Sequence, residues 1–217
     1  TVDGSVSNLL ALQKAYDEAV AVAPVVSTEV GRLGDISEYN AAIEAAEAIL
    51  ASGGSDEEIQ QAVDALKSAV ANLGKYINYP KADKEYFLLA GYQDFKKING
   101  IDMAIFCKQD FIRWSYVNIS DNTYRWRFVA GEPTADGKPT FYIQNVGTEL
   151  YAGFAEEIRI PLNMADDPAD TKPYIIHSHT DGSAALTTGN GLFFHFNSHG
   201  NGAGACGDII YWNGAGG

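Results

Sequence analysis

The chain has 217 residues, 46% of them apolar, enough to bury a proper core in one large or two small domains. Its formal net charge of −13, from 28 acidic and 15 basic residues, argues against a nucleic-acid partner, whose backbone requires clustered Lys and Arg. No apolar run approaches the length that crosses a bilayer, so no membrane span is expected. No basic stretch followed by an apolar one opens at Thr1, so any secretory signal is expected to have been removed already.

Composition shifts along the chain. Residues 1–80 carry 12 acidic and 4 basic residues, whereas the remainder carries 16 and 11. All three Trp and all four His lie beyond residue 110. The shift marks two domains, expected over 1–78 and 81–217.

The first segment has helical period. Leu9, Leu12, Tyr16, Ala19 and Val20 form one apolar stripe, with Ser5 or Ser7 placed as N-cap. A second helix is expected after Asp35 or Ser37, with Tyr39, Ile43, Ala46, Ile49 and Leu50 as its stripe and Gly53-Gly54 as its stop. Ser55-Asp56-Glu57-Glu58 fits a capping box, and Ile59, Val63, Leu66, Val70 and Leu73 continue the pattern in a third helix. Short connections predict an antiparallel three-helix bundle.

Through Tyr39 to Leu50, Ser55 to Glu58 and Ala65 to Val70, residues 5–75 resemble the FIVAR-type three-helix modules that accompany catalytic and binding domains of secreted bacterial proteins. The resemblance implies a spacer or scaffold. Bundle packing accounts for the apolar residues of this segment, and its acidic residues read as a solvated face.

From about Lys81, short β-prone runs alternate with Gly, Asn, Asp and Pro clusters, the pattern of an all-β sandwich or barrel. Three aromatic runs, Tyr86–Gly91, Phe141–Val146 and Leu192–Asn197, open comparable stretches at intervals of roughly 50 residues. In the first stretch, Phe111–Ser115 is followed by the strand-like Tyr124–Val129. The third has Asp208–Asn213, a counterpart of the former, and nothing after it to match the latter. The fold class expected is therefore α+β: a three-helix bundle, then a β-trefoil-like domain lacking its last strand. A neighbouring domain or chain would then complete the C-terminal repeat.

Phe141–Tyr151, His195–Gly204 and Tyr211–Gly214 resemble the ricin-type β-trefoil modules of secreted Bacteroidetes proteins, over residues 81–217. Where that family closes a repeat with Gln-x-Trp, this chain has Arg125-Trp126-Arg127 and Tyr174-Ile175-Ile176. The resemblance implies a lectin-like module.

A sugar site needs an aromatic face against the C–H face of a pyranose and polar side chains for its hydroxyls. The C-terminal run supplies His195, Asn197, His199, Asn201, Asp208, Trp212 and Asn213 as carbohydrate-binding candidates. Trp212 also fits a core position. Trp126 reads as core because alternation places Tyr124, Trp126 and Phe128 on one face, while Trp114 fits either role.

Other chemistry has less support. His177, His179, His195 and His199 have metal-ligating side chains, yet no His-Glu-x-x-His pattern accompanies them, and no metal or cofactor is expected. Asp166-Asp167 and Glu156-Glu157 are adjacent pairs that a strand would point to opposite sides, unlike a glycosidase dyad. No catalytic residues are assigned. Cys107 and Cys206 would close a long loop if bridged in an oxidising compartment, and as two buried thiols they would equally pack as small apolar groups.

The expected function is a non-catalytic accessory module of a secreted or cell-surface bacterial protein, with a glycan or polysaccharide as partner. The alternative is a structural or protein-interaction module without a sugar site. A hydrolase or a metal-binding protein ranks behind both.

Overall fold

The computed structural model describes residues 4–91, 97–197 and 206–213. The chain divides into two compact units, Thr1–Asn78 with Ser178–Ser183, and Tyr79–His177 with Ala184–Gly217. Three helices come first and antiparallel strands follow, a mixed α+β chain.

Unit 1 contains α1 (Gly4–Val22), α2 (Ser37–Ser52) and α3 (Asp56–Asn72). Leu12, Ala19, Tyr39, Ala46, Ile59, Val63 and Leu66 meet in one buried cluster, as the apolar stripes require. Val20 is 44% exposed instead, and Ala15 takes the position one turn earlier, giving a buried series at 12, 15 and 19. α3 starts on the capping box. Ser55 Oγ accepts from Glu58 N–H at 3.3 Å, and the Glu58 carboxylate accepts from Ser55 N–H at 2.7 Å, which holds Glu58 below the usual carboxylate range. At α2 the N-cap position is Ile36, which has no capping side chain, and Asp35 before it accepts Ser37 N–H on Oδ1 at 2.9 Å. α1 already runs from Gly4, so Ser5 and Ser7 fall inside its first turn. The first N–H groups of a helix lack intrahelical partners wherever it begins, so a nearby Ser does not fix the boundary.

The α1–α2 connection is longer than the bundle pattern predicts. It is tied down by Asn78, whose N–H donates to Arg32 O at 3.0 Å and whose carbonyl accepts from Gly31 N–H at 2.8 Å. Gly34 lies so close that a Cβ there would sit 2.6 Å from Asn78 Oδ1.

Unit 2 contains twelve strands among the described residues: β1 (Tyr86–Phe87), β2 (Lys97–Ile98), β3 (Ile101–Lys108), β4 (Phe111–Tyr116), β5 (Arg125–Ala130), β6 (Phe141–Asn145), β7 (Tyr151–Ala152), β8 (Met164–Ala165), β9 (Ile175–Ser178), β10 (Ala184–Thr187), β11 (Phe193–Asn197) and β12 (Cys206–Trp212). They form a five-stranded sheet ordered β1-β5-β6-β7-β8 and a seven-stranded sheet ordered β2-β3-β4-β12-β11-β10-β9.

Across the two sheets, the pairs β3–β4 and β11–β12 and the residues 161–163 that lead into β8 contact one another in a ring. Phe111 pairs with Asn163, Pro161 with Ile210, and Asp208 with Arg113. Of the other strands, β2 pairs with β3 and β10 with β11, while β1 links to β5, β5 to β6, and β6 to the residue before β9 through Phe141 and Tyr174.

The third aromatic run lies in the seven-stranded sheet, whereas the strands of the first two, β1 and β6, lie in the five-stranded one. Phe193–Asn197 pairs antiparallel with Cys206–Trp212, as Ile101–Lys108 pairs with Phe111–Tyr116. Aromatic content marks strands but does not say which sheet each one joins.

The core of unit 2 takes Trp114 and Trp126, at 2% and 1% exposure, and Tyr174 and Tyr211, both at 0%. Trp126 Nε1–H donates to Ile105 O at 3.0 Å. The Tyr174 and Tyr211 hydroxyls lie 2.7 Å apart, and Tyr174 donates to Gly153 O. The single Tyr174 proton is thereby used, so Tyr211 donates to the Tyr174 oxygen.

Burial pushes both phenols up, Tyr174 well above the ordinary tyrosine value. A folded-state pKa above the unfolded one gives stability that is complete below about pH 10 and is lost as pH rises further. Unfolding midpoints of unit 2 are therefore expected to fall above that pH, and less steeply in Tyr211→Phe. A pH series of urea denaturation curves checks this, and equal slopes in the two proteins would contradict it.

Cys107 and Cys206 are both free thiols, one buried and one exposed. β4 runs between their strands, with Cys107 opposite Ile112 and Cys206 opposite Ser115. Two strand spacings, about 10 Å, plus a three-residue offset exceed the Cα separation a disulfide can span. The bridge considered from sequence is therefore absent. Cys107 Sγ instead donates to Gln109 O at 3.2 Å, and its burial pushes the thiol pKa up.

Candidate functional site

The hairpin β11–β12 carries most of the sequence candidates. Cross-strand partners share a face of a sheet. Phe193 pairs with Trp212, His195 with Ile210 and Asn197 with Asp208. β4 adds Arg113 opposite Asp208. On the other face Ile209, Tyr211 and Trp114 are buried in the core with Phe194 and Phe196 half-buried beside them, while Ile210 is the one buried residue among the described residues of the hairpin's first face.

His195, Asn197, Asp208 and Trp212 are thus brought together on one face. Asn213 follows the end of β12 and is exposed. His199 and Asn201 lie outside the described residues.

Trp212 is half-buried, with the His195 ring centroid 5.8 Å from its own. It is not core like Trp126, because Tyr211 takes the inward position at this point of β12. At the far end of the face, Arg113 Nη2 lies 3.1 Å from Asp208 Oδ1, a charge-assisted pair that is neither fully exposed nor fully buried. From Trp212 to Asp208 the strand rises about 13 Å, room for a disaccharide.

Burial lowers the His195 pKa below its ordinary value. The ring is neutral at pH 7 and offers one N–H and one lone-pair nitrogen. The Trp114 indole N–H donates to Asn197 O at 3.2 Å from the core side, fixing β11 against β4.

A second chain segment lies alongside β12. Arg159 N–H donates to Tyr211 O at 2.9 Å, and Leu162 N–H to Ile209 O at 2.9 Å, so residues 159–162 run along β12. With Pro161 opposite Ile210, Arg159 falls opposite Trp212 and on the same face. Its guanidinium carbon lies 5.2 Å from the indole ring centroid, a cation–π contact.

The chemistry available is hydrogen bonding to hydroxyls, aromatic contact and anion pairing. On the hairpin, Asp208 is the one carboxylate, and Arg113 holds it. Asp167 is used locally, accepting Ala169 N–H at 2.8 Å, and Glu156 meets Lys172 at 3.4 Å. Among the described residues, no group of three His, Cys, Asp or Glu is placed to hold a metal ion. His177 packs edge-on against Phe193, with ring centroids 6.2 Å apart.

No family model matches the chain, and no curated protein is significantly similar to it.

Arg113 and Arg159 were missed by sequence reasoning. Alternation in Phe111-Ile112-Arg113-Trp114 carries a signal for the first, since Ile112 and Trp114 must face the core. Nothing local marks the second, which reaches Trp212 only through the pairing of its segment with β12.

Proposed function

We propose that this chain is a non-catalytic, lectin-like accessory module of a secreted or cell-surface bacterial protein, binding a glycan on the outward face of β11–β12. One observation carries the reading: a half-buried Trp212 shares a strand-pair face with His195, Asn197 and Asp208. That combination gives a pyranose ring an apolar platform and hydroxyl partners within a disaccharide's length.

The same reading takes unit 2 as β-trefoil-like. Its support is the ring of contacts among β3–β4, β11–β12 and residues 161–163 and the succession β1, β5, β6. A β-trefoil-like unit also offers a basis for several weak sites acting together by avidity. Unit 1, a bundle whose apolar residues are absorbed by its own core, serves as spacer or scaffold.

The test is binding of the full chain to an immobilised glycan panel, followed by calorimetry on any hit. Trp212→Ala is expected to weaken binding by about tenfold or more while the folded spectrum persists, because truncating a central aromatic removes most of a small interface. Equal binding by Trp212→Ala would place the site elsewhere. Failure to bind any glycan would leave the structural or protein-interaction role.

A further inference from the structure

We propose that the saccharide taken by this face is acidic, its carboxylate or sulfate group held by Arg159. This rests on the reading of the face as a glycan site and names the ligand class.

The chain has five arginines. Four have a carboxylate partner: Arg32 with Glu29, Arg113 with Asp208, and both Arg125 and Arg127 with Glu85. Among the described residues, Arg159 has none, although the chain carries 28 acidic side chains and two of them, Glu156 and Glu157, stand close by in sequence. Glu156 turns to Lys172 instead.

Arg159 is exposed, and its guanidinium lies over Trp212. The indole orients the cation without consuming a hydrogen-bond donor. A guanidinium held this way keeps its N–H fork free for a planar carboxylate or a sulfate, with bidentate geometry. Its backbone is also placed: φ is 65° at Arg159, a left-handed conformation uncommon outside glycine, and its N–H is fixed to Tyr211 O.

The remaining groups on the face suit the rest of a sugar. Asn197 and neutral His195 meet hydroxyls, and Arg113 already neutralises Asp208, so no free carboxylate on the hairpin opposes an acidic ligand. The net charge of −13 acts over longer range and is screened beyond about 8 Å at physiological ionic strength. A local cation therefore decides the preference.

The experiment measures binding of the full chain to three probes: oligogalacturonate for a carboxylate, carrageenan oligosaccharide for a sulfate ester, and cello-oligosaccharide as a neutral chain. It uses the parent sequence, Arg159→Gln and Arg159→Lys. One of the acidic probes is expected to bind at least tenfold more tightly than the neutral one, and the tighter of the two names the anion. Arg159→Gln should remove that margin with an unchanged urea midpoint, and Arg159→Lys should recover part of it, since the charge returns without the planar fork. Neutral chains binding as tightly as acidic ones, or acidic binding untouched by Arg159→Gln, would overturn the proposal and leave the glycan site standing. No binding by any probe would overturn the glycan reading itself.

Discussion

Trp126→Ala is expected to destabilise unit 2 by about 3–5 kcal/mol, the range for deleting a fully buried aromatic. The side chain is 1% exposed, on a strand whose inward neighbour Phe128 packs edge-on against Tyr86 and Phe141. Removing the indole leaves a cavity on the inward face of β5, and it also strips Ile105 O of its 3.0 Å partner. An unpaired buried acceptor adds about 1–3 kcal/mol on its own. Trp126→Phe separates the two effects, because it keeps most of the apolar contact and loses the hydrogen bond. Urea denaturation monitored by far-ultraviolet circular dichroism measures both variants. A loss under about 1 kcal/mol for Trp126→Ala would contradict the assignment of this residue to the core.

Gly207→Ala is expected to damage the fold and the candidate site together. Gly207 lies opposite Trp114, and a Cβ there would stand 2.4 Å from Asn197 O and 2.5 Å from Trp114 Nε1. Neither neighbour yields easily, because one is backbone and the other is an indole at 2% exposure. The methyl group would split the 3.2 Å hydrogen bond between them and push β11 away from β4. Overpacking of this kind costs about 1–3 kcal/mol and sometimes more. Asn197 and His195 ride on β11, so glycan affinity should fall along with the denaturation midpoint. An unchanged midpoint in Gly207→Ala would mean that the three-way packing of Trp114, Asn197 and Gly207 is not as described.

Local features of this fold were legible before the structure. The stripes of α2 and α3 and the Ser55–Glu58 box depend on residues three or four apart, so sequence spacing alone determines them. Trp126 was placed in the core by alternation within one strand, for the same reason. What depended on pairing was not legible. Tyr211 and Trp212 are adjacent aromatics, and alternation says that they face opposite sides without saying which side is inward. Only the register against Phe193 and Phe194 resolves it. Sheet membership was hidden similarly, since Phe193–Asn197 and Phe141–Asn145 look alike and lie in different sheets.

The candidate site was half legible. His195, Asn197, Asp208 and Trp212 sit within one sequence run, so composition found them. Arg159 lies more than fifty residues from Trp212 in sequence, in a connecting segment with no strand pattern of its own. Its role follows from hydrogen bonds to Tyr211 and from Pro161 beside Ile210, contacts between distant segments. The buried Asn145 was equally invisible. Its side chain donates to Thr123 O at 2.7 Å and accepts from Gly147 and Thr148 N–H at 3.1 Å each, which makes it a turn anchor rather than a ligand contact.

The central claim is that glycans bind on the outward face of β11–β12, and the three indole N–H groups of this chain report on it directly. In a nitrogen-15 correlation spectrum titrated with oligogalacturonate and with the carrageenan and cello-oligosaccharide probes, the Trp212 indole signal is expected to move most. The Trp126 signal, buried and bonded to Ile105, should stay fixed. A Trp212 signal that does not move at saturating concentrations of any of these glycans would contradict the account.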